Sequence, residues 1–339
     1  MTYLYGINIA TERQRPVEDV LQLPLDRLDE GSARWMREPA RATEMAALVQ
    51  DGFATFAEAQ VSTAALAKQA MAGALSSSAT DPVNVDAVMF STESFWDTEN
   101  PALPSYVGEP VRLRHALLQG MAEVGLSRAF PYANWLSACA NLGSTLGLAR
   151  SSILAGQHRR VMVVCADKVP PNMARMTGAT VMSDLAAACV IGPERRGFEL
   201  KAVIGGAAPA VAGFNAESNS PPELMKFMRE MMLALKRLGA DFERVMQRPL
   251  NSFETIISGH FHPFTLRAMC DVLQVKSEDL LRNGRSKYAH AYASDNLLTL
   301  VALDAEGKFA PGQQIVLLNS GVWSWNFIVL EKVAESTCH

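Results

Sequence analysis

Cysteine, histidine and aspartate supply the nucleophilic and proton-transfer chemistry open to this chain, and their surroundings single out a few positions. Cys139 lies in NWLSACANLGSTLGLA, where a polar turn opens into an apolar helical run. Small residues crowd around it: Ser137, Ala138, Ala140, Gly143 and Ser144. A thiol at a helix N-terminus feels the positive end of the helix dipole and nearby unpaired N–H groups, both of which favour thiolate. Small neighbours admit a thioester, and the N–H of the nucleophile can help hold an oxyanion. The same pattern also suits a buried cysteine that only fills space, so the segment alone leaves both readings open. The other four cysteines, Cys165, Cys189, Cys270 and Cys338, show no CxxC or Cys/His cluster and no metal-ligand spacing. They read as core or tail thiols of a reducing compartment.

Two histidines stand out among six. In TIISGHFHPFTLRAM, His262 precedes Pro263, a residue suited to the first position of a helix. It is therefore expected at a strand-to-helix junction, with His260, two residues earlier, as its competitor. His290 occurs in SKYAHAYASDNLLTLVAL, five residues before Asp295. That aspartate could orient an imidazole or sit solvated in the first turn of a helix, where the dipole favours it.

These residues need a scaffold, and the composition describes one. The 339 residues are 49% hydrophobic and 19% charged, enough for one large α/β unit or two intimate halves. A net charge of -4 speaks against a nucleic-acid partner. No apolar run is long enough for a membrane span, and the opening MTYLYGINIATERQRP lacks a signal-peptide pattern. A cytoplasmic protein is expected.

Strand-like and helical patterns alternate along the chain. Strands are expected at 4–9, 85–91, 160–166, 186–191, 253–258, 314–319 and 326–331. Helices are expected at 62–75, 139–154, 223–238, 263–273 and 294–303. The run PERRGFEL reads as a hairpin. Segment 95–114 reads as an excursion over an active site, and 207–222 as a surface linker. Met225, Met228, Met231 and Met232 recur at helical spacing and suit core or dimer packing.

Several of these segments together resemble ketoacyl-ACP synthase III. The segment NWLSACANLGSTLGLA, with Ala138-Cys139-Ala140, is similar to the family's active-site A-C-A-G turn and small-residue helix, and GKFAPGQQIVLLNSG to its G-x-x-x-P-G-Q strand. STAALAKQAMAGAL followed by VDAVMFSTES resembles its first long helix and strand. His262-Pro-Phe-Thr-Leu-Arg267 is similar to H-Q-A-N-x-R. His290 stands where the family carries asparagine in Y-G-N-x-S. Two further departures concern loops: LLNSGVWSW has one glycine, Gly321, where the family has several, and Ser183-Asp184-Leu185-Ala186-Ala187 replaces G-D-G-A-G.

The resemblance implies a thiolase fold, two duplicated α/β halves in a five-layered αβαβα arrangement. An N-terminal half at 1–199 would carry the nucleophile and a C-terminal half at 200–339 the histidines. It implies a catalytic set of Cys139, His262 and His290, with Asp295 and His260 behind them and the N–H groups of Cys139 and Gly321 as the oxyanion site. Trp35, Arg37 and Arg41 would line a coenzyme A channel, guanidinium on phosphate and indole on adenine. No tightly bound cofactor is implied, and the substrate would be a thioester of coenzyme A or of an acyl carrier protein's phosphopantetheine. The expected reaction is decarboxylative Claisen condensation to a β-ketoacyl product in specialised metabolism. Acyl transfer to an alcohol or amine and a non-catalytic subunit of a heteromeric synthase are the alternatives. A homodimer is expected, with contacts near 87–91, because unpaired strand edges are liabilities.

Overall fold

The computed structural model describes residues 1–95, 109–177, 180–211 and 221–334. Most of the expected excursion (96–108) and linker (212–220) lies outside the described residues, as does Cys338.

Ten strands form one sheet. The first five are β1 (Tyr3–Ala10), β2 (Ala87–Ser91), β3 (Phe130–Ala133), β4 (Val161–Asp167) and β5 (Leu185–Gly192). The second five are β6 (Phe198–Ala207), β7 (Thr255–Ser258), β8 (Leu280–Leu281), β9 (Gln314–Ser320) and β10 (Ser324–Lys332). Their order is β8-β7-β9-β10-β6-β1-β5-β4-β2-β3. Each set of five repeats one topology, third-second-fourth-fifth-first, with the same parallel and antiparallel pairings. The sets meet at β1 and β6, where Tyr3 pairs with Glu199 and Leu4 with Phe198.

That meeting overturns the hairpin expected at PERRGFEL. Strands β5 and β6 are consecutive, yet β1 lies between them and takes the backbone groups of both. The dimer contact expected at 87–91 also needs correction. That segment is β2, paired on one side with β4 and on the other with β3, so it presents no free edge. The edge is β3, all four of whose residues are exposed.

The helices that position the site are α1 (Glu30–Arg37), α2 (Ala40–Gln50), α3 (Thr63–Ser77), α4 (Glu109–Glu123), α5 (Asn141–Leu154), α6 (Pro221–Met246), α7 (Pro263–Leu273) and α8 (Asp295–Ala305). Five layers result. Leu142, Leu146 and Ala149 of α5 and Leu297, Leu300 and Leu303 of α8 share one core with residues from both strand sets. Helices α3 and α4 cover the outer face of the first set. Helices α6 and α7 cover that of the second. Strands clad by helices on both faces need apolar residues at every position, and β4 and β5 are buried throughout. Of the helically spaced methionines on α6, Met231 is core whereas Met225 and Met232 are exposed.

Close approach sets the depth of α5. At Gly143 an added Cβ would collide with the Asn326 carboxamide of β10, and Asn326 Nδ2 donates to the Ala140 carbonyl at 2.8 Å. The first turn of α5 is thereby fixed to the second strand set. No described helix is long and apolar enough to cross a membrane.

Candidate active site

Cys139 lies in the tight turn Ala138–Ala140 that runs into α5, and it is half-buried. Ala138, just before it, has φ +48°, a left-handed conformation that costs a non-glycine residue about 1 kcal/mol or more. Contacts on both sides of the kink hold it. The Ser137 N–H donates to Asn141 Oδ1 at 2.9 Å. The Ser137 carbonyl accepts from Ala140 N–H at 2.9 Å and from the Ser324 hydroxyl at 2.7 Å.

His290 reaches the thiol from the second half. Its Nε2 lies 3.4 Å from Cys139 Sγ, and its Nδ1 donates to Asp295 Oδ2 at 2.5 Å. The backbone around the imidazole is also kinked, with φ +45° at Ala289 and +52° at Tyr292. Phe261 and Tyr292 pack against the ring, with centroids 4.7 Å and 6.0 Å away. Asp295 begins α8 and is fully furnished with donors. Oδ2 also accepts from the His260 N–H at 2.7 Å, and Oδ1 accepts from Ala291 N–H at 2.6 Å.

The electrostatics follow from this line of three groups. Burial alone would make His290 less basic, but the Asp295 carboxylate and then Cys139 outweigh it and raise its pKa to about 10. Burial would likewise raise Asp295, yet His260 and His290 hold it well below the usual carboxylate range.

His260 is enclosed and structural in its contacts. Its Nδ1 donates to the Ala289 carbonyl at 2.5 Å. Its Nε2 accepts from the Thr299 hydroxyl at 3.0 Å, which in turn accepts from Gly284 N–H. His260 thus braces both Asp295 and the loop that carries His290.

His262, expected against Cys139, is placed otherwise. It is the N-cap of α7, and its Nδ1 accepts from Phe264 N–H at 3.2 Å. The charges it feels are those of Glu44, Asp51 and Arg267, and burial lowers its pKa. Among the described residues no hydrogen bond or ion pair joins it to Cys139, His290 or Asp295. Its Nε2 is buried without a hydrogen-bond partner among the described residues, and Phe261 is the neighbour that packs on His290.

Gly321 also departs from expectation. Its N–H donates to the Ser324 carbonyl at 2.7 Å, closing the short β9–β10 connection, so it is not free for an oxyanion. Its importance is steric, since a Cβ there would stand 2.6 Å from the Ser137 carbonyl. The N–H of Cys139 lies in the turn Ala138–Ala140 that leads into α5.

Trp35 and Arg41 contact each other. The Arg41 guanidinium lies 3.5 Å over the Trp35 ring and pairs with Glu44 and with Glu38 at 3.3 Å. Arg41 is buried, and its charge is spent on these partners. Trp35 Nε1 donates to the Met176 carbonyl at 3.2 Å. Arg37 remains exposed.

Two carboxyls beside the turn drew no attention in the sequence. Glu93 Oε1 accepts from Asn141 Nδ2 at 3.0 Å. Asp167 Oδ1 accepts from the Glu93 N–H at 2.6 Å and the Thr92 hydroxyl at 3.2 Å. Asp167 ends β4 and Glu93 lies two residues beyond the end of β2.

Residues 135–207 match the family model of 3-oxoacyl-[acyl-carrier-protein] synthase III. No curated protein matches the chain. Among solved structures, the acyltransferase ChlB3 superposes with TM-score 0.74 at 15% identity, covering 99% of this chain and 98% of its own. The 3-oxoacyl-[acyl-carrier-protein] synthase III of Aquifex aeolicus VF5 gives TM-score 0.70 at 17% identity, covering 98% and 100%. The cerulenin-bound OleA of Xanthomonas campestris gives TM-score 0.70 at 11% identity, covering 97% and 98%. Across nearly the whole chain the fold is shared, and over the segment bearing Cys139 the sequence is too. Residues 135–207 are thus similar to 3-oxoacyl-[acyl-carrier-protein] synthase III, and the whole chain shares the fold of these solved structures.

Proposed function

We propose that this protein is a cysteine-dependent acyltransferase that passes an acyl group from a thioester to an alcohol or amine, with Cys139, His290 and Asp295 as nucleophile, base and orienting carboxylate. The alignment of Asp295 Oδ2, the His290 ring and Cys139 Sγ carries this reading. Asp295 keeps a proton on Nδ1, which leaves Nε2 to exchange protons with the sulfur and with whatever replaces it.

In the first half-reaction Nε2 holds the thiol proton while the sulfur attacks the thioester carbonyl. The tetrahedral oxyanion sits by the N–H of Cys139. Its collapse expels the donor thiolate, which takes the proton from Nε2. Cys139 is then an uncharged thioester, and the thiolate that helped raise the basicity of His290 is gone. The ring is neutral, with Nε2 unprotonated, ready to accept a proton from an incoming hydroxyl or amine. That group attacks the acyl carbon, and the departing Cys139 sulfur closes the cycle.

Decarboxylative condensation asks something different of the site: neutral donors directed at an enolate oxygen. Here the imidazole beside the sulfur is paired with a carboxylate that favours proton uptake, which suits a base. His262 caps α7 through Nδ1, and its Nε2, buried without a hydrogen-bond partner among the described residues, keeps condensation as the alternative. Coenzyme A and a carrier protein both present the same thioester. The Arg41–Trp35 contact, with two glutamates on the arginine, gives the nucleotide no free charge there.

Intact-mass spectrometry tests the proposal. The protein is incubated with acyl and malonyl thioesters of coenzyme A and of a carrier protein, then with alcohols and amines. An adduct on Cys139 that is discharged by an alcohol or amine supports the reading. Loss of carbon dioxide from a malonyl group with formation of a β-ketoacyl product overturns it in favour of condensation, and no adduct from any donor removes both.

A further inference from the structure

The turn that presents Cys139 is held from behind by a chain of buried polar groups that ends on Glu93. Asn141 is buried, and its carboxamide makes two bonds of opposite sense. Oδ1 accepts from the Ser137 N–H at 2.9 Å, while Nδ2 donates to Glu93 Oε1 at 3.0 Å. The first fixes the second. A backbone N–H can only donate, so the carboxamide oxygen must face Ser137 and the NH2 must face Glu93. An acceptor is therefore required at Glu93 Oε1. Since Ser137 directly precedes the left-handed Ala138, this same link braces the strained turn from the side opposite Ser324.

Glu93 is itself anchored. Its N–H donates to Asp167 Oδ1 at 2.6 Å, and the Thr92 hydroxyl donates to the same oxygen. Asp167 closes β4 and is buried, and its Oδ2 has no hydrogen-bond partner among the described residues. Burial, and next the charge of Asp167, push the Glu93 carboxyl up to about 7. Burial does the same to Asp167, also to about 7. A proton on Glu93 can reside on Oε2 and leave Oε1 as the acceptor, so the link to Asn141 survives either protonation state.

We propose that Glu93 is a positioning residue for the nucleophile. By accepting from Asn141 it holds the Ser137 N–H, and through it the Ala138 kink that aims the Cys139 thiol at His290. The requirement is for an acceptor at one place and not for a negative charge. Glutamine, whose side-chain oxygen can occupy the Oε1 position, should serve. Aspartate, which keeps the acid but is one methylene shorter, should not.

This inference deepens the acyltransfer reading, but its readout needs no thioester. Alkylation of Cys139 by iodoacetamide joins sulfur to the acetamide carbon and releases iodide, and peptide mass spectrometry follows its rate. Misplacing a reacting group by about 1 Å can cost on the order of a hundredfold in rate. In Glu93→Ala and Glu93→Asp the alkylation should slow about tenfold or more. In Glu93→Gln it should stay within about threefold of the parent. Circular dichroism melting of each variant establishes that it is folded. Parent-like alkylation in Glu93→Asp would overturn the proposal, as would Glu93→Gln slowing as much as Glu93→Ala. Because iodoacetamide reports only on thiol presentation, these outcomes are independent of which thioester, if any, loads the protein.

Discussion

His290 and Asp295 form a buried pair, Nδ1 to Oδ2 at 2.5 Å, in which the carboxylate settles which ring nitrogen carries the proton. Replacing Asp295 by asparagine removes the charge and lets the ring adopt the wrong tautomer. Acyl transfer should fall by about 10²–10⁴-fold. Acyl-loading and discharge rates from quenched intact-mass time courses check this, and a loss below about threefold would remove Asp295 from the mechanism.

His290→Asn distinguishes transfer from condensation. Asparagine can donate a hydrogen bond but cannot take a proton, so the variant should load slowly and then retain its acyl group. An acyl-enzyme that persists in the presence of acceptor is the expected mass signature. Rapid discharge by a malonyl thioester would favour condensation instead.

The raised pKa of His290 makes stability depend on pH. In the unfolded chain the ring titrates near 6.5, and in the folded protein near 10. The stabilisation from its protonated form is therefore complete below about 6.5 and lost as pH rises through about 10. Asp295, shifted the other way, stays ionised in both states across that window and adds no slope there. Between pH 6.5 and 10 the parent should lose more melting temperature than His290→Ala does. Parallel curves for the two proteins would contradict the charge pairing.

Of the two histidines near α7, His260 should matter more for folding. Its removal leaves the Ala289 carbonyl and Thr299 hydroxyl without their buried partner, a cost of about 1–3 kcal/mol per unsatisfied group. His262→Ala loses a helix cap, about 1 kcal/mol. Denaturant melts of both variants give the comparison. The sequence pointed to His262 because Leu266 and Arg267 then fall in a familiar register. That register, however, counts residues from the helix, whereas the active site is approached from the strand, and Gly259–Phe261 occupies the interval. Cys139 and His290, which lie 3.4 Å apart, are marked in the sequence by a small-residue turn in one case and, through the resemblance, by the place of an asparagine in the other. Gly321 was legible as a position and not as a role. Hydrogen bonding between residues 321 and 324 depends on how tightly two strands are joined, which composition does not encode. Most of the ten strands could be placed from apolar runs. That β1 enters between β5 and β6 depends on long-range pairing and could not be.

Strand β3 is one of the two edge strands of the sheet among the described residues, and Phe130 and Tyr132 on it are exposed. We expect two copies to pair there. Lysine at both positions should halve the sedimenting mass of a parent dimer by placing like charges across the seam. A parent that sediments as a monomer at micromolar concentration would end this expectation.

The Asn326 contact with α5 has a consequence for how the protein comes into being. Cys139 belongs to the first strand set, His290 and Asp295 to the second, and Asn326 lies on β10, beyond all three in the chain. During synthesis the thiol leaves the ribosome long before His290 and the strand that seats its turn. Until β10 closes against β6, the turn that carries the cysteine lacks the contact from Asn326 that seats it. The assembled cluster of Cys139, His290 and Asp295 therefore belongs only to a chain whose second strand set has already folded.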